Sequence, residues 1–190
     1  HSTLYIIIEV NLDKKDRIEI IENAISWIVV FAMFLYGGGK FLQFEGATEI
    51  DKTVSELTGM ELMWAFYGHS KAFALTLGIL EVTGGILILI KKTRLIGALF
   101  TSAILVNIIL QDIYFGVHSG ALKAAIIYQI LILIILWFNK DKLINSIKTL
   151  LESKKKDTSK SKLALKLGIA FILFLIFRFV EYYVTIGMYQ

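Results

Sequence analysis

The chain contains no cysteine and no proline. Without cysteine there is no disulfide, no thiolate nucleophile, no iron–sulfur ligation and no Cys-x-x-Cys redox pair. Without proline, a bent helix must owe its bend to glycine or to a π-bulge. Charge is also scarce, at 19% of residues against 56% hydrophobic. The few His, Asp and Glu residues show no metal-ligand spacing, so no metal site is predicted. No serine-hydrolase signature occurs. Gly37, Gly38 and Gly39 are followed by Lys40 and Phe41 inside an apolar run, which is not a phosphate-cradling loop.

What is present is a set of long hydrophobic runs. Mean hydropathy is +0.69, too high for an ordinary soluble domain. Five stretches approach the roughly 20 residues that cross a bilayer at about 1.5 Å per residue. They cover residues 24–44, 71–90, 95–111, 121–138 and 163–184. Ile18, Ile21 and Ile25 recur at helical spacing before the first run, so that helix starts earlier, and Asn11 or Asp13 can cap it. The fold class predicted is an all-α membrane protein, a four-helix transmembrane bundle plus a fifth C-terminal transmembrane helix. Residues 4–10 are apolar but too short to span. Residues 61–66 look helical, with Trp64, Phe66 and Tyr67 suited to the membrane surface. Leu143, Ile147, Leu150 and Leu151 outline a surface helix.

Charge placement gives a topology. Lys14, Lys15 and Arg17 precede the first span, and Lys91, Lys92 and Arg94 separate the second from the third. The stretch 139–162 carries eight lysines against three acids, whereas 45–70 carries five acids against Lys52. By the positive-inside rule the protein is a multi-pass cell-membrane protein with a cytoplasmic N-terminus and an outer C-terminus. The lysine-rich stretch reads as a partner of lipid headgroups or a solvated linker; nucleic acid is not an expected partner.

Polar residues within the spans concentrate toward the outer ends, leaving the inner halves nearly aliphatic. Glu81 lies near the middle of the second span, where a carboxylate costs about 2.5–3.5 kcal/mol on insertion scales. It must face protein or water. Lys40 near the end of the first span is its natural ion-pair partner, unless Lys40 simply snorkels outward. Asn107 and Gln111 share one face of the third span, with Asp112 beside them; they read as ligand contacts or as interhelical hydrogen-bond glue. Arg178 and Glu181 are three apart in the fifth span. Arg178 pairs either with Glu181 or across the bundle with Glu81 or Asp112. The pattern predicts a polar, partly buried cavity opening toward the outer leaflet, with Lys40, Glu81, Asn107, Gln111, Arg178 and Glu181 as candidate binding residues. No catalytic residue stands out.

Gly37-Gly38-Gly39-Lys40-Phe41 ends the first span, Glu81-Val82-Thr83-Gly84-Gly85 precedes an aliphatic run, and Arg94-Leu95-Ile96-Gly97-Ala98-Leu99 follows a short basic turn. On these motifs the stretch from about 25 to 138 resembles the DoxX/DoxD-like family of small membrane proteins. The resemblance implies a left-handed four-helix bundle, here with an added helix, and matches Lys40 and Glu81 to the family's positions. It divides the chain into an N-terminal cytoplasmic or interfacial segment (1–17), a DoxX-like four-helix domain (18–138), a basic cytoplasmic linker (139–162), and the fifth transmembrane helix with an outer C-terminus (163–190).

The resemblance implies a subunit of a quinone-linked redox system, which would bind a quinone or a small anionic substrate in the cavity. No cofactor is expected to be covalently bound. No residue is an evident electron carrier, so a protein partner in a membrane complex or the quinone itself would carry the electrons. The alternatives are a non-catalytic binder or transporter of a small lipophilic or anionic molecule, and a scaffold whose polar groups are only helix glue.

Overall fold

A computed structural model describes residues 12–49, 51–152 and 159–186. The apolar segment at 4–10 lies outside the described residues. Among these there are seven α-helices and no strand. They are α1 (Lys14–Gly39), α2 (Gly59–His69), α3 (Lys71–Leu89), α4 (Arg94–Tyr114), α5 (Ser119–Phe138), α6 (Lys140–Leu151) and α7 (Lys160–Ile186). Five of them, all but α2 and α6, are long and apolar enough to cross a membrane. The chain divides into two compact units, His1–Ile147 and Lys148–Gln190.

In the first unit α1 packs on α3, α3 on α4, α4 on α5, and α5 returns to α1. That closes a ring of four helices. The core between them is built from Val29, Met33, Ile88, Leu105, Ile132 and Ile135, each at most 2% exposed. Trp27, Phe31 and Leu35 recur every four residues on the opposite face of α1 and are exposed, as a lipid-facing stripe should be. Gly84 abuts Thr101 of α4, and Gly85 abuts Met33 and Phe34 of α1, so the small residues of α3 admit both neighbours.

Local signals set most ends. Asp13 caps α1 in a reciprocal capping box with Asp16, at 2.8 and 3.0 Å. Thr58 and Glu61 form the same device on α2, and Ser70 caps α3. The first span differs from expectation, because α1 stops at Gly39 rather than running on to residue 44. Three adjacent glycines leave the helix little intrinsic preference there, and residues 40–48 continue as a succession of turns. The loop expected to start at Asp112 is shorter, since α4 continues to Tyr114 and only residues 115–118 turn the chain.

At the end of the bundle away from these turns lies a cluster that sequence reading passed over. Arg94 of α4 contacts Glu22 of α1 at 3.3 Å, with side chains 6% and 15% exposed. Its Nε donates to the Ile88 carbonyl, and Asn139, after α5, donates to Glu22 at 3.0 Å. Lys91 and Glu19 pair beside them in the open.

In the second unit, α7 buries no described side chain. Arg178 and Glu181 pair with each other, at 2.5 Å on successive turns.

Candidate functional site

The site begins with two glycines. A Cβ on Gly78 would lie 2.5 Å from the Gly37 carbonyl oxygen, and one on Gly37 would lie 2.6 Å from that of Gly78. Only glycine at both places lets the backbones of α1 and α3 approach this closely. The Lys40 stem then lies across Gly78, within 3.1 Å of where its Cβ would be. Three residues further along α3, one turn on, Glu81 meets the ammonium: Lys40 Nζ is 3.6 Å from Glu81 Oε1, with side chains 14% and 2% exposed. Lys40 also sits over the Phe44 ring, 5.4 Å from its centroid.

These two residues line a cavity of about 550 Å³ within the first unit. Its walls are largely apolar and aromatic, with Tyr36, Phe44, Trp64, Tyr67, Phe100 and Tyr128 among them. Asn107, Gln111 and Asp112 enter from α4, and His118 from the turn before α5. Tyr67 donates to Gln111 Oε1 at 2.6 Å, and the Gln111 amide donates to Asn107. Burial pushes the Tyr67 hydroxyl above its ordinary range. His118 Nδ1 accepts from the Gly120 amide at 3.1 Å. Asp112 is 6% exposed, and its Oδ2 has no hydrogen-bond partner; Glu81 Oε2 has none either.

Helix α2 covers one side of the cavity, presenting Met60, Met63, Trp64 and Tyr67. Their spacing of 0, 3, 4 and 7 is that of one helical face, and this was the signal available to sequence. Trp64, expected as a membrane-surface anchor, instead packs edge-on against Phe44 with centroids 5.6 Å apart. The turn after α1 reverses the chain, and α2 can then lay its apolar face over the bundle rather than on the lipid surface.

Of the six residues singled out from sequence, the structure brings Lys40, Glu81, Asn107 and Gln111 to one cavity. Arg178 and Glu181 are in the second unit, paired with each other. Gln129, another polar residue of the spans, donates to Ser102 at 2.8 Å and ties α5 to α4. Among the described residues no group of three or more His, Asp or Glu side chains is disposed to hold a metal ion.

No family model matches the chain, and no solved structure matches it. The chain is similar to a Bacillus subtilis (strain 168) protein described as "Uncharacterized protein YwoB". The two are 32% identical over 117 residues, which is 60% of this chain and 73% of that protein.

Proposed function

The chain belongs to the family of the uncharacterized protein YwoB of Bacillus subtilis, and from that starting point we propose that it is a multi-pass membrane protein holding a small amphipathic molecule among its first four apolar helices. One observation carries this reading. The cavity of about 550 Å³ pairs aromatic walls with a compact polar group of Lys40, Glu81, Asp112, Asn107 and Gln111. That volume lies within the range of small-molecule sites, about 300–1,000 Å³, and apolar walls with few polar groups are their usual make-up. Helix glue alone would not need a void beside it. Interhelical polar groups that only hold a bundle together are packed against one another, as Gln129 and Ser102 are.

A flat ring with polar substituents suits such walls, which favours a quinone as one class of occupant. Lys40 would donate to a ring carbonyl, and electrons would pass between the quinone and a partner protein, because no side chain in the cavity is an electron carrier. This is the DoxX-like reading of the chain. The charge pattern supports a cytoplasmic N-terminus, which turns the cavity toward the outer leaflet.

Ala103 lines the cavity, and a tryptophan there would occupy part of it. Protein in nanodiscs, titrated by calorimetry with a short-tailed quinone and with a neutral aromatic alcohol, should bind at least one of them. Ala103→Trp should weaken that binding about tenfold or more, equivalent to about 1.4 kcal/mol, while thermal stability is held. Absence of binding by both probes would refute the reading; alcohol binding without quinone binding would refute only the quinone class. The absence of cysteine makes orientation directly testable: Ser55→Cys should react with a membrane-impermeant maleimide added outside cells, and Lys92→Cys should not.

A further inference from the structure

We propose that the occupant's head group is a cationic hydrogen-bond donor, a protonated amine, recognised by Asp112 together with Glu81. The inference rests on the cavity being a ligand site, and it names an amine in place of a quinone as what the site selects.

The argument is a count of charges and of donors. Two carboxylates line the cavity, Glu81 and Asp112, against one ammonium, Lys40. Both carboxylates are more than nine-tenths buried, and each has an oxygen without a hydrogen-bond partner, Glu81 Oε2 and Asp112 Oδ2. Lys40 is held to Glu81 through the other oxygen, Oε1. Two neighbouring donors are committed elsewhere, Tyr67 to Gln111 and Gln111 to Asn107. His118 uses Nδ1 as an acceptor from the Gly120 amide. Tyr36 and Tyr128, the remaining titratable groups facing the cavity, bear no positive charge; their rings meet edge to face at 6.1 Å.

The cavity therefore holds two buried carboxylate oxygens that no donor reaches, and its acids exceed its bases by one. An unpaired acceptor in a low-dielectric site costs free energy until a donor reaches it. A ligand bringing an ammonium supplies donors and the missing positive charge together. The surrounding rings add to the preference, since the negative faces of tryptophan, tyrosine and phenylalanine attract a cation. A carboxylate ligand would bring a third negative charge to a site with one cation.

Three probes of one shape decide it: phenethylamine, 2-phenylethanol and 3-phenylpropanoate, titrated by calorimetry at neutral pH into the full chain in nanodiscs. The amine should bind about tenfold or more tighter than the alcohol, and the carboxylate weakest. Asp112→Asn should bring the amine to the alcohol's affinity, and Asp112→Glu should restore the preference. Equal binding of amine and alcohol, or tighter binding of the carboxylate, would overturn the inference and leave the cavity reading standing. Failure of all three to bind would remove both. The comparison of probes on the unaltered protein needs no variant to fold.

Discussion

Glycine at position 78 decides whether Lys40 and Glu81 can meet. The Lys40 stem crosses the place a Gly78 side chain would fill, and the Gly37 carbonyl is closer still. Gly78→Ala should force α1 and α3 apart and lower stability by about 1–3 kcal/mol, as overpacking typically does. Thermal unfolding in detergent would measure the loss, and binding of a cavity probe should weaken in parallel. The sequence exposed part of this. A carboxylate at the middle of an apolar run cannot face lipid, which singled out Glu81, and Lys40 was the nearest base that helix ends could bring to it. Nothing in the sequence distinguished Gly37 from Gly38 and Gly39, yet only the first touches another helix. Which of three neighbours faces inward depends on where the helix stops, and glycine runs leave that weakly specified. Arg178 shows the opposite ambiguity. Its spacing from Glu181 allowed a pair within one helix or a reach across the bundle, and spacing alone cannot rank a local partner against a distant one.

Helix α2 is short for an isolated helix, so its place over the cavity depends on its cap and on its aromatic face. Glu61 bonds Lys52 at 2.6 Å and the Thr58 amide at 2.8 Å. The bond from Lys52, then those from Thr58, hold its carboxyl at about 2, below the ordinary 4.5. A lowered acid stabilises the folded form above its ordinary value, and that contribution disappears as pH falls through the folded one. Docking of α2 should therefore be complete above about pH 4.5 and weaken between there and about pH 2. Trp64 fluorescence, with the other two tryptophans replaced, would follow it, and Lys52→Met should move the loss to higher pH. Thr58→Ala should cost about 1 kcal/mol through the lost cap. The sequence reading placed a helix at residues 61–66 and named no cap for it. The helix's role as a wall of the cavity was not legible, because an amphipathic face suits a lipid surface and a protein surface equally well.

Across the whole bundle, the end opposite the cavity is fastened by the Glu22–Arg94–Asn139 cluster, which joins α1, α4 and the end of α5. Removing one member of a buried ion pair is severe, about 3–5 kcal/mol, whereas replacing both by apolar groups is often neutral. Arg94→Met should accordingly destabilise the protein, and Glu22→Leu combined with it should recover most of the loss in the same unfolding assay. Sequence reading gave Arg94 a place in the topology and in a family motif but no partner, since a basic turn explains itself by the positive-inside rule. The number of spans, by contrast, was legible from hydropathy, which needs no tertiary information. One consequence follows from the backbone contact of Gly37 with Gly78. At that level no acyl chain can slip between α1 and α3, so this seam is shut to sideways traffic from the bilayer. A molecule arriving from the lipid must come through a different gap, and chemical crosslinks placed along the α1–α3 seam should leave its rate of entry unaltered.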